Sequence, residues 1–362
     1  MSVCLCMIVK NEAAVIARCL ASVRPLIDTW VIVDTGSTDG TQGLAAAVLA
    51  DLPGAVVERP WVDFATNRSE ALALARDRAD YTLVIDADDV LEIAPGFALP
   101  PLTADAYDLE IRLGTVCYQR PQIFSNRLPW RYRGVLHEFA EAAGAGPRET
   151  LPSVTMICGQ DGARRHDPAT YARDAAVLFE AVQTETDPFL VSRYTFYLAQ
   201  SWRDAGELQK AFVTYLARTE GGFWDEEIYV SWLNAGRILQ RLGAPTAYIE
   251  KMFESAMAVC PHRAEAIHEL ALHLRAQDRF ADAYRVASLG RHLTLPAAGL
   301  FVEPDAYRYA LLDELAISAW WSGHFRESLI ACLDLLAEGR APAEHRGRIV
   351  ANARFALDRL AA

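Results

Sequence analysis

Apolar positions along the chain change period near its middle. The first stretch, Val3–Val9 (VCLCMIV), is apolar without a break, the pattern of a strand covered on both faces of a parallel sheet. Glu12–Val23 follows with apolar residues at helical spacing. Thr29–Gly36 (TWVIVDTG) is a second buried strand that ends in an acid and a turn. Thr38–Leu52 predicts a helix, Gly54–Pro60 a short strand, Ala65–Ala79 a third helix, and Tyr81–Asp89 (YTLVIDADD) a fourth strand. Alternation of this kind implies a doubly wound, mostly parallel α/β sheet, whose ligands bind beyond the carboxyl ends of the strands. Asp34 and Asp86 each end a predicted strand and are expected to share one crevice.

Past about Asp167 the strand signals stop and helical periodicity repeats. Leu198, Ala199, Trp202, Ala211 and Tyr215 set a spacing of small and apolar residues. Leu270, Ala271, Leu274, Ala283 and Ala287 repeat it, and Leu315, Ala316, Ala319, Ser328 and Cys332 repeat it again. A more distorted copy surrounds Ala235 and Ile238. Small residues let paired helices approach closely, so the second half resembles tetratricopeptide (TPR) helix pairs, with an irregular insertion at LPAAGLFVEPDAY. A plain helical bundle is the competing reading. Expected domains are an α/β domain over 1–165 and an all-α, TPR-like domain over 166–362. Trp202, Tyr215, Trp224, Trp232, Trp320 and Trp321 are expected mostly between helices. The loop GGFWDEEIYVSW (221–232) is the expected acceptor-facing segment.

Composition narrows the functions. The chain has 362 residues, 52% hydrophobic and 23% charged, which is globular. A formal charge of −12 argues against nucleic acid as the main partner, because phosphate backbones need a basic footprint. The seven cysteines are scattered with no CxxC pair, which suits buried thiols in a reducing compartment. No stretch of about 18 apolar residues predicts a membrane span, and the N-terminus lacks a signal-peptide pattern. The expected location is cytoplasmic.

The chemistry concentrates at the strand ends. Asp86, Asp88 and Asp89 follow a buried strand, where carboxylates repel one another and are costly to desolvate. Two carboxylates one residue apart suit a hard divalent cation, which would also bridge to a diphosphate. The alternative is a solvated, helix-capping loop. In VIVDTGSTDGT (31–41), Asp34 can accept hydrogen bonds from a base or ribose, or simply end a strand–turn–helix connection capped by Ser37, Thr38 or Asp39.

MIVKNEAAVIARCLASV, VIVDTGSTDGT, NRSEAL and LVIDADD occur in an order and at distances that resemble glycosyltransferase family 2, of the GT-A fold. With the helical tail, the layout is similar to the subgroup carrying a C-terminal tetratricopeptide domain, including the sublancin-type peptide S-glycosyltransferases. The resemblance implies a metal-dependent, inverting transfer of a sugar from a nucleotide sugar, UDP-linked, to a peptide, protein or glycan held by the TPR-like domain. It places Val9, Lys10 and Glu12 at the first nucleotide loop and Asp34 on the uracil or ribose. Asn67 and Arg68 would face the diphosphate. Asp86, Ala87 and Asp88 would form the DxD motif that takes Mn²⁺ or Mg²⁺, with Asp89 on sugar hydroxyls or in a helix cap. Where many relatives have Asp-Asp this chain has Asp34-Thr35, which leaves base contacts at Thr35 open.

WRYRGVLHEFAEA (130–142) resembles the VHE segment of that subgroup. It implies His137 as a further metal or diphosphate ligand and Glu138 as the base or a sugar-positioning acid. Strand neighbours face opposite ways, so both reach one spot only if the chain turns there. Arg164 and Arg165 could neutralise diphosphate charge, with Asp161 and His166 as further bases or ligands. The same stretch could equally be a linker in which Asp167 caps a helix before Pro168. Arg120, Arg127, Trp130 and Tyr132 are ambiguous between site and packing. Two other functions stay open: a scaffold whose nucleotide-binding domain no longer transfers, and a nucleotidyltransferase. A homo-oligomer is compatible with the sequence.

Overall fold

A computed structural model describes residues 1–159, 161, 162, 167, 169–337 and 339–361. The chain forms two compact units. The first holds Met1–Gly114 and Tyr118–Gly206, the second Thr115–Cys117 and Glu207–Ala362.

The first unit is built on a mostly parallel eight-stranded sheet. In chain order its strands are β1 (Val3–Val9), β2 (Thr29–Asp34), β3 (Gly54–Glu58), β4 (Tyr81–Val84), β5 (Val90–Ile93), β6 (Ala106–Leu113), β7 (Val116–Ser125) and β10 (Glu149–Ile157). The spatial order is β3-β2-β1-β4-β7-β6-β10-β5. A separate ribbon pairs β8 (Arg131–Arg133) with β9 (Phe139–Glu141) in antiparallel register. Helices α1 (Ile16–Val23), α2 (Thr41–Val48) and α3 (Phe64–Arg76) make the crossovers. Val3, Leu5, Met7 and Val9 pack on one face with Ile16, Leu20, Ile32 and Leu83. Cys4, Cys6, Val31 and Val33 pack on the other with Ala71 and Leu72. Burial on both faces is why β1 and β2 read as unbroken apolar runs.

Parallel pairing sets the functional edge. Val9 is level with Asp34, and Cys6 with Val84, so the ends of β1, β2 and β4 open on one side. There Asp34 and the Asp86–Asp89 run emerge together, as the alternation of strands and helices predicted.

The first unit continues past residue 165, where the sequence placed the division. Helices α4 (Thr170–Thr184) and α5 (Pro188–Asp204) belong to it. Ala175, Leu178, Leu190, Tyr194 and Leu198 bury themselves with Leu136, and Phe64 and Phe139 pack against that cluster. Asp187 caps α5 by accepting from Phe189 N–H (2.8 Å), and Pro188 opens the helix, where its missing donor costs nothing.

The second unit contains α6 (Leu208–Thr219), α7 (Asp225–Arg241), α8 (Thr246–Val259), α9 (Glu265–Arg275), α10 (Phe280–Leu289), α11 (Leu311–Trp321), α12 (Phe325–Ala337) and α13 (Ala343–Ala361). The small residues of the repeat are buried where helices meet: Ala211, Ala271, Ala283, Ala287, Ala316, Ala319, Ser328 and Cys332. Not all the aromatics follow. Trp224 and Trp321 are exposed, the latter stacked on Phe280. No helix among the described residues is long and apolar enough to cross a membrane.

Candidate functional site

The edge beyond β1, β2 and β4 is organised by backbone first. Val9 carbonyl accepts from both Thr35 N–H (2.9 Å) and the Thr35 hydroxyl (3.0 Å), locking the two strand ends together. Thr35 is thus used structurally. Asn11, at φ 58°, accepts from Thr38 N–H through Oδ1, and Glu12 N–H donates to Thr41 Oγ1. Lys10 is exposed on the same loop, and Glu12 is half-buried. Asp34 is 2% exposed. Its Oδ2 accepts from Gly36 N–H, Ser37 N–H and the Gln42 amide at 3.0–3.1 Å. Among the described residues its Oδ1 is buried with no hydrogen-bond partner. A buried carboxylate oxygen left without a donor is expensive, and such atoms mark places where a ligand donor belongs.

Asn67 is fully buried and bound inward. Its Oδ1 accepts from Val62 N–H (2.9 Å) and its amide donates to Pro60 carbonyl (3.0 Å). It therefore braces the loop leading into α3. Arg68, next along, carries the charge. Its Nη2 donates to Asp86 Oδ1 at 2.6 Å, and its Nε lies 2.6 Å from Glu138 Oε1. The second contact is close but poorly aligned, since Arg68 Nε satisfies no hydrogen-bond geometry; it is an ion pair. Burial alone would lower the Arg68 pKa, but Asp86 and Glu138 more than offset it and push it up. The guanidinium also lies over the Tyr132 ring, 5.7 Å from its centroid. One cation thus ties the DxD loop to the 134–138 bend.

That bend answers the strand-neighbour problem. Gly134 (φ 116°) and His137 (φ 52°) turn the chain between β8 and β9. Glu138, 10% exposed at its side chain, points to Arg68. His137 is exposed and stacks on Tyr197 of α5, with ring centroids 3.8 Å apart. Its carbonyl accepts from Arg193 Nη2 at 2.8 Å. Val135 N–H donates to the Tyr194 hydroxyl (3.2 Å), and Arg133 pairs with Asp187. Helices α4 and α5 therefore buttress the Glu138 bend, a role that sequence reasoning assigned to none of them. Among the described residues, Asp86, Asp88 and His137 do not bring their ligand atoms within 4.8 Å of one another.

The acidic run is divided by burial. Asp86 and Asp88 are half-buried, while Ala87 and Asp89 are buried. Asp89 Oδ1 accepts from Gly159 N–H (3.0 Å), and Arg120 Nη2 is 3.9 Å from its Oδ2. Burial, with added repulsion from Asp86, pushes the Asp89 carboxyl up to about 7, against the pull of Arg120. Behind the loop, the Cys19 thiol lies 3.4 Å from Asp86 carbonyl, and burial beside the three acids raises its pKa well above the ordinary thiol value.

The loop after β10 reaches back to the same acids. A Cβ on Gly159 would collide with the Asp88 backbone, and one on Gly162 would stand 2.7 Å from Asp88 Oδ2. Only glycine permits this approach. Arg18 of α1 clasps Asp161 (Nη1 to Oδ2, 2.6 Å) and donates to Asp88 carbonyl (3.0 Å). The glycines flanking Asp161 in CGQDG were the available signal for this contact. Arg18 had none, as a lone arginine on a helix. Arg120 joins the acids. Trp130 packs on Phe124 and donates to Ser125 carbonyl (3.0 Å), while Arg127 pairs with Asp105. Arg164, Arg165 and His166 lie outside the described residues.

The assembled edge offers a carboxylate oxygen at Asp34 without a hydrogen-bond partner among the described residues, two half-buried carboxylates at Asp86 and Asp88, and a buried guanidinium between two acids. Carboxylates one residue apart suit a hard divalent cation.

Comparison with known proteins bears on this edge. Residues 4–169 match the family described as "Glycosyl transferase family 2". The chain is 35% identical over 181 residues to a "TPR repeat-containing protein" of Synechococcus elongatus, covering 48% of this chain and 43% of that one. It is 27% identical to an "Uncharacterized glycosyltransferase" of Rickettsia felis, covering 60% of this chain and 75% of that one. A third relative, the "Lipopolysaccharide core biosynthesis glycosyltransferase LpsC" of Rhizobium meliloti, is 35% identical over 95 residues, 26% of this chain and 34% of its own. The chain thus spans less than half the length of the Synechococcus relative. Among solved structures it resembles a tetratricopeptide repeat protein of Parabacteroides merdae (TM-score 0.39, 16% identity, 54% of this chain and 72% of that one). It also resembles S. aureus TarS 1-349 (TM-score 0.32, 15% identity, 79% and 89%).

Proposed function

We propose, because residues 4–169 match the glycosyl transferase family 2 model, that the protein transfers a sugar from a nucleotide sugar to a nucleophilic acceptor, with inversion. The observation that carries this reading is the shared strand edge. Asp34, whose Oδ1 has no hydrogen-bond partner among the described residues, and the Asp86–Asp88 pair stand beyond the ends of β2 and β4, the parallel strands on either side of β1. Asp34 would accept from the N–H of a uracil or from ribose, which supports a UDP-linked hexose as donor. Asp88, with Asp86, would hold Mn²⁺ or Mg²⁺. That ion, when bound, offsets the charge of the departing diphosphate.

The chain's own residues do the rest. Arg68 holds Asp86 and Glu138 in fixed relation, so the two ends of the site cannot drift apart. Arg120 offsets part of the negative charge around Asp89. Glu138 takes the proton of the acceptor as it attacks the anomeric carbon. The Arg68–Glu138 ion pair favours one second reading, in which Glu138 positions Arg68 and the sugar and another acid is the base. A KM-against-kcat split in Glu138→Gln separates them. The acceptor would be a peptide, protein or glycan held by the second unit, since arrays of paired helices suit extended chains. The scattered cysteines, with no CxxC pair, support a cytoplasmic site of action.

The test is Mn²⁺-dependent UDP binding by calorimetry, with slow hydrolysis of UDP-hexoses and release of UDP. Failure with every common nucleotide sugar leaves the scaffold alternative. Release of pyrophosphate from a nucleoside triphosphate makes it a nucleotidyltransferase.

A further inference from the structure

The second unit contains a cluster of candidate ligands apart from the strand edge of the first. Glu226 stands in the first turn of α7, Cys260 caps the end of α8, and His262 follows in the turn to α9. One carboxylate oxygen, the Cys260 Sγ and one imidazole nitrogen all lie within 4.8 Å of one another. His262 Nε2 is 3.8 Å from Glu226 Oε1.

The carboxylate is aimed. Glu226 Oε2 accepts from Leu300 N–H (2.9 Å) and from Arg263 Nη1, which leaves Oε1 to face the sulfur and the imidazole. Outer hydrogen bonds that orient a ligand in this way are a regular part of metal sites. The nearby guanidinium does not leave the cluster with excess positive charge. Arg263 is fully buried and paired twice with Glu265, Nη2 to Oε1 at 2.8 Å and Nε to Oε2 at 3.0 Å. Among the described residues the Cys260 sulfur makes a long contact, 3.9 Å, to Asp225 carbonyl, which is too weak to hold it away. The His262 side chain is 61% exposed, which opens a path for an ion from solvent.

From this geometry we infer that Glu226, Cys260 and His262 form a zinc-class transition-metal site with a fourth position open to water. Thiolate, imidazole and carboxylate together suit zinc, and the sulfur disfavours magnesium and calcium. Bond lengths of about 2.0–2.3 Å put tetrahedral ligands roughly 3.5 Å apart. The cluster must therefore draw in by up to about 1 Å, which the exposed His262 side chain allows. Cys260 gives its thiol proton to solvent as the metal–sulfur bond forms. The ion would join the start of one helix to the end of the next and to the turn beyond.

The test uses the full chain, stripped with chelator and carrying Asp88→Asn so that the first unit does not compete for metal. Titration with Co²⁺ should produce a sulfur-to-cobalt charge-transfer band and tetrahedral visible bands, saturating at one equivalent and displaced by Zn²⁺. Cys260→Ser should abolish the charge-transfer band. His262→Ala, a change on an exposed side chain, should weaken binding at least about tenfold with helical content unchanged, even if Cys260→Ser fails to fold. Absence of the sulfur band, its persistence in Cys260→Ser, or unchanged affinity in His262→Ala overturns the site.

Discussion

The two units handle buried charge in opposite ways. In the second, each buried charge described here meets a counter-charge. Arg218 pairs with Glu227 at 2.9 Å, both nearly inaccessible. Arg263 pairs with Glu265, and the hydroxyls of Tyr229 (3.1 Å) and Tyr307 (3.0 Å) donate to the same carboxylate. Arg237 binds Glu269 and Glu303, and Arg275 binds Glu314. Although burial opposes it, Arg263 holds the Glu265 carboxyl below its ordinary range. In the first unit buried acids are less evenly matched: burial pushes the Asp89 carboxyl up to about 7 against the pull of Arg120, and one oxygen of Asp34 has no hydrogen-bond partner among the described residues. Matched networks fix a fold, whereas a buried acid with a displaced pKa or an orphaned oxygen reads as a place prepared for something else.

The sharpest way to break this contrast is at the strand edge of the first unit. Asp88→Ala should reduce Mn²⁺-dependent turnover to background with helical content unchanged; retained turnover would sink the assignment of the acids to a cation. In the matched network, Arg263→Leu strands the buried Glu265 carboxylate and takes a partner from the half-buried Glu226. It should cost about 3–5 kcal/mol of stability by denaturant melt, with UDP binding intact if the units act separately. Glu138→Gln should lower kcat about 10²-fold at unchanged nucleotide affinity, the size of a lost general base. A rise in KM alone would make Glu138 a positioning residue.

Asp89 sharpens the comparison through pH. Its folded pKa lies above the unfolded value, so between pH 4 and 7 the folded state holds more protons than the unfolded one. Stability from this group is therefore full at low pH and is lost as pH rises through about 7. Asp89→Asn should remove that decline in metal-free buffer, a gain of about 2 kcal/mol at pH 8 relative to pH 5. A parallel pH profile for wild type and variant would show that burial does not displace the Asp89 pKa. The smallest expected effect is Tyr307→Phe, which deletes one hydrogen bond to a charged acceptor and should cost about 1–2 kcal/mol by thermal melt.

The strand–helix alternation, the shared edge of Asp34 and Asp86, and the repeat of small residues were all legible in the sequence. Each depends on a local period or on parallel-sheet topology, and those propagate along the chain residue by residue. The bend at Glu138 was legible only as a condition, that the chain must turn, and the left-handed His137 satisfies it. What the sequence could not contain was who meets whom across long separations. Arg68 joining Asp86 to Glu138, Arg18 reaching Asp161, Asn67 turning inward, and α4 and α5 packing behind the bend are tertiary outcomes. Helical spacing says which face of α5 is apolar but not which surface covers it. Only the packed structure decided that this face belongs to the first unit, where its apolar residues are buried with Leu136 and against Phe139.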